Sequence, residues 1–177
     1  MTVDESPSAV QERRRRARVA MPLAMVSFAV PYVAMLFTVQ WLQPAGQEGF
    51  ADLAYFVGLL LLGAVLVAVV IPIVVFSLGR VLDAATLAWG TARAALAFGG
   101  AGLALGLALA ALMSWAQDVS MVGATANVAL PAAIGGLGTR LLLPVALEHR
   151  WVVVLAWVLA ALPVAGVVAL VLSVRFT

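Results

Sequence analysis

Outside the first 18 residues, Glu148, His149 and Arg150 are the only adjacent ionisable side chains, and they are the one place where a proton could be passed near neutral pH. General acid–base chemistry would need Glu148 and His149 to converge on one substrate. Neighbours on a helix point in different directions, and no motif places a nucleophile beside them. Their position at the end of an apolar run suits anchoring at a membrane surface instead. The chain has no cysteine and one histidine, which excludes a disulfide framework, a thiolate metal site, a cysteine nucleophile and a histidine ligand cluster. The run Gly135-Gly136-Leu137-Gly138 lacks the Lys-Ser/Thr sequel of a phosphate loop. The residues therefore predict no catalytic group, no cofactor and no metal, and a protein that is not an enzyme.

Three other spacings suggest packing. Gly102, Gly106 and Ala110 recur every four residues, a small-residue face on which another backbone can come close in lipid, whether from this chain or from a partner. Arg80 and Asp83 lie three apart at the end of an apolar stretch, where they can pair locally or present charge to a cytoplasmic loop of a larger protein. Pro31, Pro72 and Pro163 each interrupt an apolar run and predict kinks.

The elements that must carry these residues follow from composition. Of 177 residues, 65% are apolar and 10% charged, against about 25% charged in a soluble domain. The solvent is lipid. The net charge of +2 does not indicate nucleic acid, because half of the ten arginines fall between Arg13 and Arg18, directly before an apolar run and without interleaved aromatics. Residues 1–12 are polar and predict an unstructured lead. Charge-free intervals at 19–42, 53–77, 94–115 and 151–174 are each long enough to cross the roughly 30 Å hydrocarbon core. The expected fold is an all-α integral membrane bundle of four transmembrane helices, with five possible.

Orientation follows from the arginines. Four crossings put Arg13 to Arg18, Arg80, Arg93 and Arg175 in the cytoplasm and leave Arg140 and Arg150 outside. Both termini are then cytoplasmic, Trp41, Trp115 and Trp151 lie at the outer interface, and Trp89 lies at the inner one. Residues 119–147 carry Asn127, Pro131, Gly135, Gly136, Gly138, Arg140 and Pro144. A central arginine costs about 2.5–3.5 kcal/mol on insertion scales, which favours an outer interfacial or re-entrant segment over a fifth crossing. On this reading the bilayer-buried interior holds no ionised group, so transport or catalysis must be borrowed from another molecule.

The first half carries a further pattern: Arg14, Arg15, Arg16 and Arg18, then Phe28, Val30 and Tyr32 in the first span, a short loop, a second apolar span, and Arg80-Val81-Leu82-Asp83-Ala84. Residues 14–83 resemble the domain-of-unknown-function 485 family, small two-span bacterial membrane proteins typically encoded beside sodium:solute symporters of the acetate-permease type. Arg14, Arg18 and Tyr32 match its basic lead and first-span tyrosine, and Arg80 and Asp83 match its closing basic-x-x-Asp. The resemblance implies an accessory role. It divides the chain into a basic cytoplasmic segment 1–18, a two-span hairpin 19–83 and a second two-span half 84–177. The expected protein is a multi-pass component of a bacterial plasma membrane, a non-catalytic accessory subunit of a transporter. Its partners would be the bilayer and a larger transporter subunit or further copies of itself, with no nucleic acid. Two alternatives differ in class. One is a small channel or exporter assembled through the Gly102/Gly106 face, and the other is an enzyme acting on a lipid-linked substrate through Glu148, His149 and Arg140 at the outer surface.

Overall fold

The computed structural model describes residues 7–42, 49–117 and 121–175. The chain is helical almost throughout, with no strand among the described residues. Helix α1 is Pro7–Leu42. A second rod, residues 49–85, joins α2 (Gly49–Val65), α3 (Ile71–Val74) and α4 (Arg80–Ala85) through π-helical turns at Leu66–Val70 and Val75–Gly79. Helix α5 is Thr91–Gln117. A rod at 121–148 runs from α6 (Met121–Ala124) through a π-turn at Thr125–Ala129 into α7 (Leu130–Glu148). Helix α8, Arg150–Arg175, closes the chain.

Four of these helical stretches are long and apolar enough to cross a membrane; three coincide with the expected intervals, and the expected interval 151–174 is helical as well, within α8. The fourth is Met121–Glu148, the segment expected to be interfacial or re-entrant. At 28 residues it is about 42 Å long, enough for a full crossing. Helix α8 follows as a further rod of 26 residues. Helical order also begins earlier than expected, at Pro7, so residues 7–12 are part of α1 and not an unstructured lead. Residues 1–6 lie outside the described residues.

Two prolines explain two of the π-turns. Pro72 and Pro131 each take the second position of the helix that follows one. A proline has no N–H to donate and crowds the carbonyl four residues back. Widening the preceding turn by one residue lets the Ile71 N–H reach the Leu66 carbonyl and the Leu130 N–H reach the Thr125 carbonyl, so the backbone stays bonded where no water is present. Pro31 is accommodated within a continuous α1. The side chain of Pro163 lies outside the described residues.

Helix α7 sits between α1 and α5, α8 packs on α1 and α7, and the second rod packs chiefly on α1. The glycine run that argued against a crossing is what lets α7 fit there. A Cβ on Gly135 would press the Phe28 Cβ at 3.2 Å and the Phe28 backbone at 3.3 Å, and one on Gly138 the Ser27 hydroxyl at 2.9 Å. A Cβ on Gly136 would strike the Phe98 carbonyl of α5. The helix-propensity cost of about 1 kcal/mol per glycine is therefore offset by backbone approach on two sides.

Helix α8 runs parallel to α1. Ala156 and the neighbouring Val152 and Val153 pack on Val19, Ala20 and Leu23, whereas Ala160 packs with Met25, Phe28 and Tyr32. The starts of α1, α5 and α8 and the ends of α4 and α7 thus meet at one end of the bundle. Segments bearing Arg13 to Arg18, Arg80, Arg93, Arg140 and Arg150 all lie there, and α8 carries Arg175 to the far end.

Candidate functional site

Between the second rod and α5 the bundle opens into a groove of about 740 Å³, floored by α1 and α7. On α1 the lining runs from Glu12 to Phe28, about 24 Å of helix, and on the 121–148 rod from Val128 to Leu143, about 22 Å. The lining is sharply divided. Glu12, Arg16, Arg80, Asp83 and Arg140 cluster at the arginine-rich end, and the rest is apolar apart from Thr139, whose hydroxyl donates to the Gly135 carbonyl at 2.6 Å.

Among the described residues three ion pairs lie at the charged end, the longest of them between Arg15 and Glu12 at 3.9 Å. Arg16 Nε donates to Glu12 at 3.1 Å, one helical turn away on α1. Arg140 Nη1 donates to Asp83 Oδ1 at 2.7 Å, tying α7 to α4 across 57 positions of sequence. The Arg140 guanidinium also lies 5.6 Å from the centroid of the Phe98 ring on α5, so one side chain links three rods. This geometry overturns two expectations. Asp83 and Arg140 in contact cannot stand on opposite faces of a core about 30 Å thick, so the four-crossing arrangement that put Arg140 and Arg150 opposite Arg80 fails. Nor are the candidate crossings free of arginine, because Arg140 lies within Met121–Glu148, about 12 Å before its end at Glu148.

The other predicted residues fall as follows. Arg80 is exposed at the groove mouth, and Asp83 pairs with Arg140 and not with its neighbour Arg80. Gly102 and Gly106 lie against the 121–148 rod, since a Cβ on Gly102 would strike the Ala132 carbonyl and one on Gly106 would be 2.5 Å from Ala129 Cα, and Ala110 is fully buried. Arg14 and Arg18 are exposed on α1. Tyr32 is buried, its ring stacked on Phe28 at 5.4 Å, and its hydroxyl donates to the Leu59 carbonyl at 2.6 Å on α2, not to a local group near Pro31.

Glu148, His149 and Arg150 are all exposed. His149 Nδ1 lies 3.2 Å from the Val145 carbonyl and its ring stands edge-on to Trp151, so the histidine finishes α7 and faces no cleft. Arg140 is engaged elsewhere, and the constellation expected of an outer-face enzyme does not form. Trp151, with Trp89, lies toward the arginine-rich end, opposite Trp115, which corrects the expected outer belt; the side chain of Trp41 lies outside the described residues.

Sequence reasoning missed the site's central contact. Arg140 entered as a cost against a crossing and as a group of the outer-face enzyme, and Asp83 as a partner for Arg80 or a docking charge, but the two were not paired with each other. The available signal was that an arginine inside a 28-residue apolar helix demands an acid, and Asp83 stands at the end of another span. Phe98 had no signal of its own. Asn127, in the π-turn before Pro131, is buried with its Oδ1 unpartnered and does not line the groove.

No protein-family model, curated protein or solved structure matches this chain.

Proposed function

We propose that this chain is a non-catalytic accessory subunit of a larger transporter in a bacterial plasma membrane, of the sodium:solute symporter kind. The observation that carries this reading is the confinement of charge. Among the groove-lining residues every charged group lies at one end, Asp83 and Arg140 neutralise each other, and the remaining length is apolar. A solute or proton path needs polar groups near the bilayer midplane, so an interior of this kind supports packing against a carrier and not conduction. The Gly102/Gly106 face is taken up by the 121–148 rod, which weighs against a pore assembled through it. The resemblance of residues 14–83 supplies the partner class. Because Asp83 is committed to Arg140, docking to a partner falls to Arg80, with Arg14, Arg18 and Arg93 exposed at the same end.

The arginine-rich end faces the cytoplasm in this reading. With both the 121–148 rod and α8 crossing, the crossings number five and the C-terminus lies outside, in place of the expected cytoplasmic one. Deletion of the protein should lower sodium-coupled organic-acid uptake, and in mild detergent it should co-migrate with a sodium:solute symporter. Unchanged uptake together with migration alone would end the proposal.

A further inference from the structure

We infer that the groove between the second rod and α5 is a specific seat for one anionic phospholipid, its acyl chain lying along α1 and α7 and its phosphate held at Arg80 and Arg16. The inference stands on the groove and is independent of any transporter partner.

Size is the first argument. At about 740 Å³ the groove falls within the roughly 300–1,000 Å³ range of small-molecule sites. Its 22–24 Å of helical lining exceeds the roughly 15 Å depth of one leaflet's hydrocarbon, so a single extended chain entering from the arginine-rich end can run its full length. Polarity is the second. The slot is apolar where the tail would lie and charged only at its mouth, the division an amphiphile has within itself. A sterol would leave the mouth unused, and a polar solute would leave the slot unsolvated.

Charge decides among amphiphiles. Three arginines face the mouth against two carboxylates. Asp83 holds Arg140, and Glu12 meets the Nε of Arg16 at 3.1 Å while also lying 3.9 Å from Arg15 Nη1, so its single charge is shared between two guanidinium groups. Arg80 is exposed and carries no ion pair among the described residues. The mouth therefore holds one uncompensated guanidinium and part of a second, which complement the single negative charge of a phosphodiester headgroup that carries no cation. Phosphatidylglycerol has such a headgroup; phosphatidylcholine cancels it internally.

The test uses the full chain, delipidated in mild detergent and titrated with phosphatidylglycerol or phosphatidylcholine of identical acyl chains, with retained lipid counted by native mass spectrometry. One phosphatidylglycerol per chain should be retained in preference to phosphatidylcholine. Arg80→Gln should reduce that preference about fivefold, the effect of removing one arginine near an anionic phosphate. Ala108→Trp, which fills the slot from an exposed lining position on α5, should abolish retention of the single lipid whatever its headgroup, while Leu96→Trp, on an exposed position outside the lining, should not. Equal retention of the two lipids by the unmodified protein, or undiminished retention by the Ala108→Trp variant with its helical spectrum intact, would overturn the inference. So would a protein that retains no lipid because a second copy or a partner helix fills the groove.

Discussion

Replacing Asp83 by asparagine should destabilise the bundle out of proportion to the loss of one surface charge. The pair it forms with Arg140 is short, at 2.7 Å, and its side chains are only 21% and 13% exposed. Two unit charges about 4 Å apart attract by about 4 kcal/mol at an effective dielectric constant of 20, and part of this is lost to the cost of desolvating both. A coupling of about 1–3 kcal/mol remains. In Asp83→Asn the Arg140 guanidinium stays within an apolar helix with a weaker acceptor, and the penalty approaches the roughly 2.5–3.5 kcal/mol assigned to an unpaired arginine at a helix centre, reduced because Arg140 can reach toward the arginine-rich end. We expect about 2–3 kcal/mol for the single variant and less for Asp83→Asn combined with Arg140→Gln, where no charge is stranded. Unfolding by sodium dodecyl sulfate in mixed micelles, followed by tryptophan fluorescence, gives both numbers and their coupling. A coupling below about 0.6 kcal/mol, the average for an interhelical hydrogen bond in a membrane bundle, would refute the reasoning.

Glycine substitutions separate contact from propensity on one helix. Gly106→Ala, whose Cβ would be 2.5 Å from Ala129 Cα, should cost about 1–3 kcal/mol, whereas Gly100→Ala, with nothing within 4 Å, should be neutral or stabilising by up to about 1 kcal/mol in the same unfolding assay. Tyr32→Phe removes the hydrogen bond to the Leu59 carbonyl and should cost about 0.5–1.5 kcal/mol, a loss of helical-hairpin stability that Phe28, stacked but not hydrogen-bonded, cannot replace. Reporters fused to the two ends of the chain should lie on opposite sides of the membrane, because α8 runs parallel to α1; the same side would exclude five crossings.

The all-α membrane bundle was legible because apolar runs about 20 residues long have one use. The Gly102, Gly106 and Ala110 face was legible as a packing surface for the same kind of reason: only small residues at four-residue spacing let backbones meet in lipid. The continuous 121–148 rod was not, because its evidence is pairwise. Each of Gly135, Gly136 and Gly138 weakens an isolated helix, and Arg140 is costly in isolation, so a reading that weighs the segment alone rejects it. Their compensation comes from Phe28, Phe98 and Asp83, which lie on three other elements. The groove was invisible for a related reason. It is the space left where the second rod leans on α1 while α5 leans on α7, and no residue type announces a gap.

That compensation has a consequence for assembly. Met121–Glu148 is the least apolar of the four long helices, and it alone carries an arginine deep in its length. Its partners all precede it in the sequence: Phe28 on α1, Asp83 on α4, Phe98 on α5. The helix that needs help thus emerges after the groups that provide it, and its insertion should depend on them. The absence of cysteine makes this measurable, since Glu148→Cys introduces a single thiol at the exposed end of α7. In intact cells that thiol should be shielded from a membrane-impermeant maleimide when α7 crosses toward the cytoplasm. Adding Asp83→Asn leaves Arg140 unneutralised, and a fraction of molecules should then hold the segment at the outer surface and label. If labelling of Glu148→Cys is unchanged by Asp83→Asn, α7 inserts on its own apolar content and the ion pair serves stability alone.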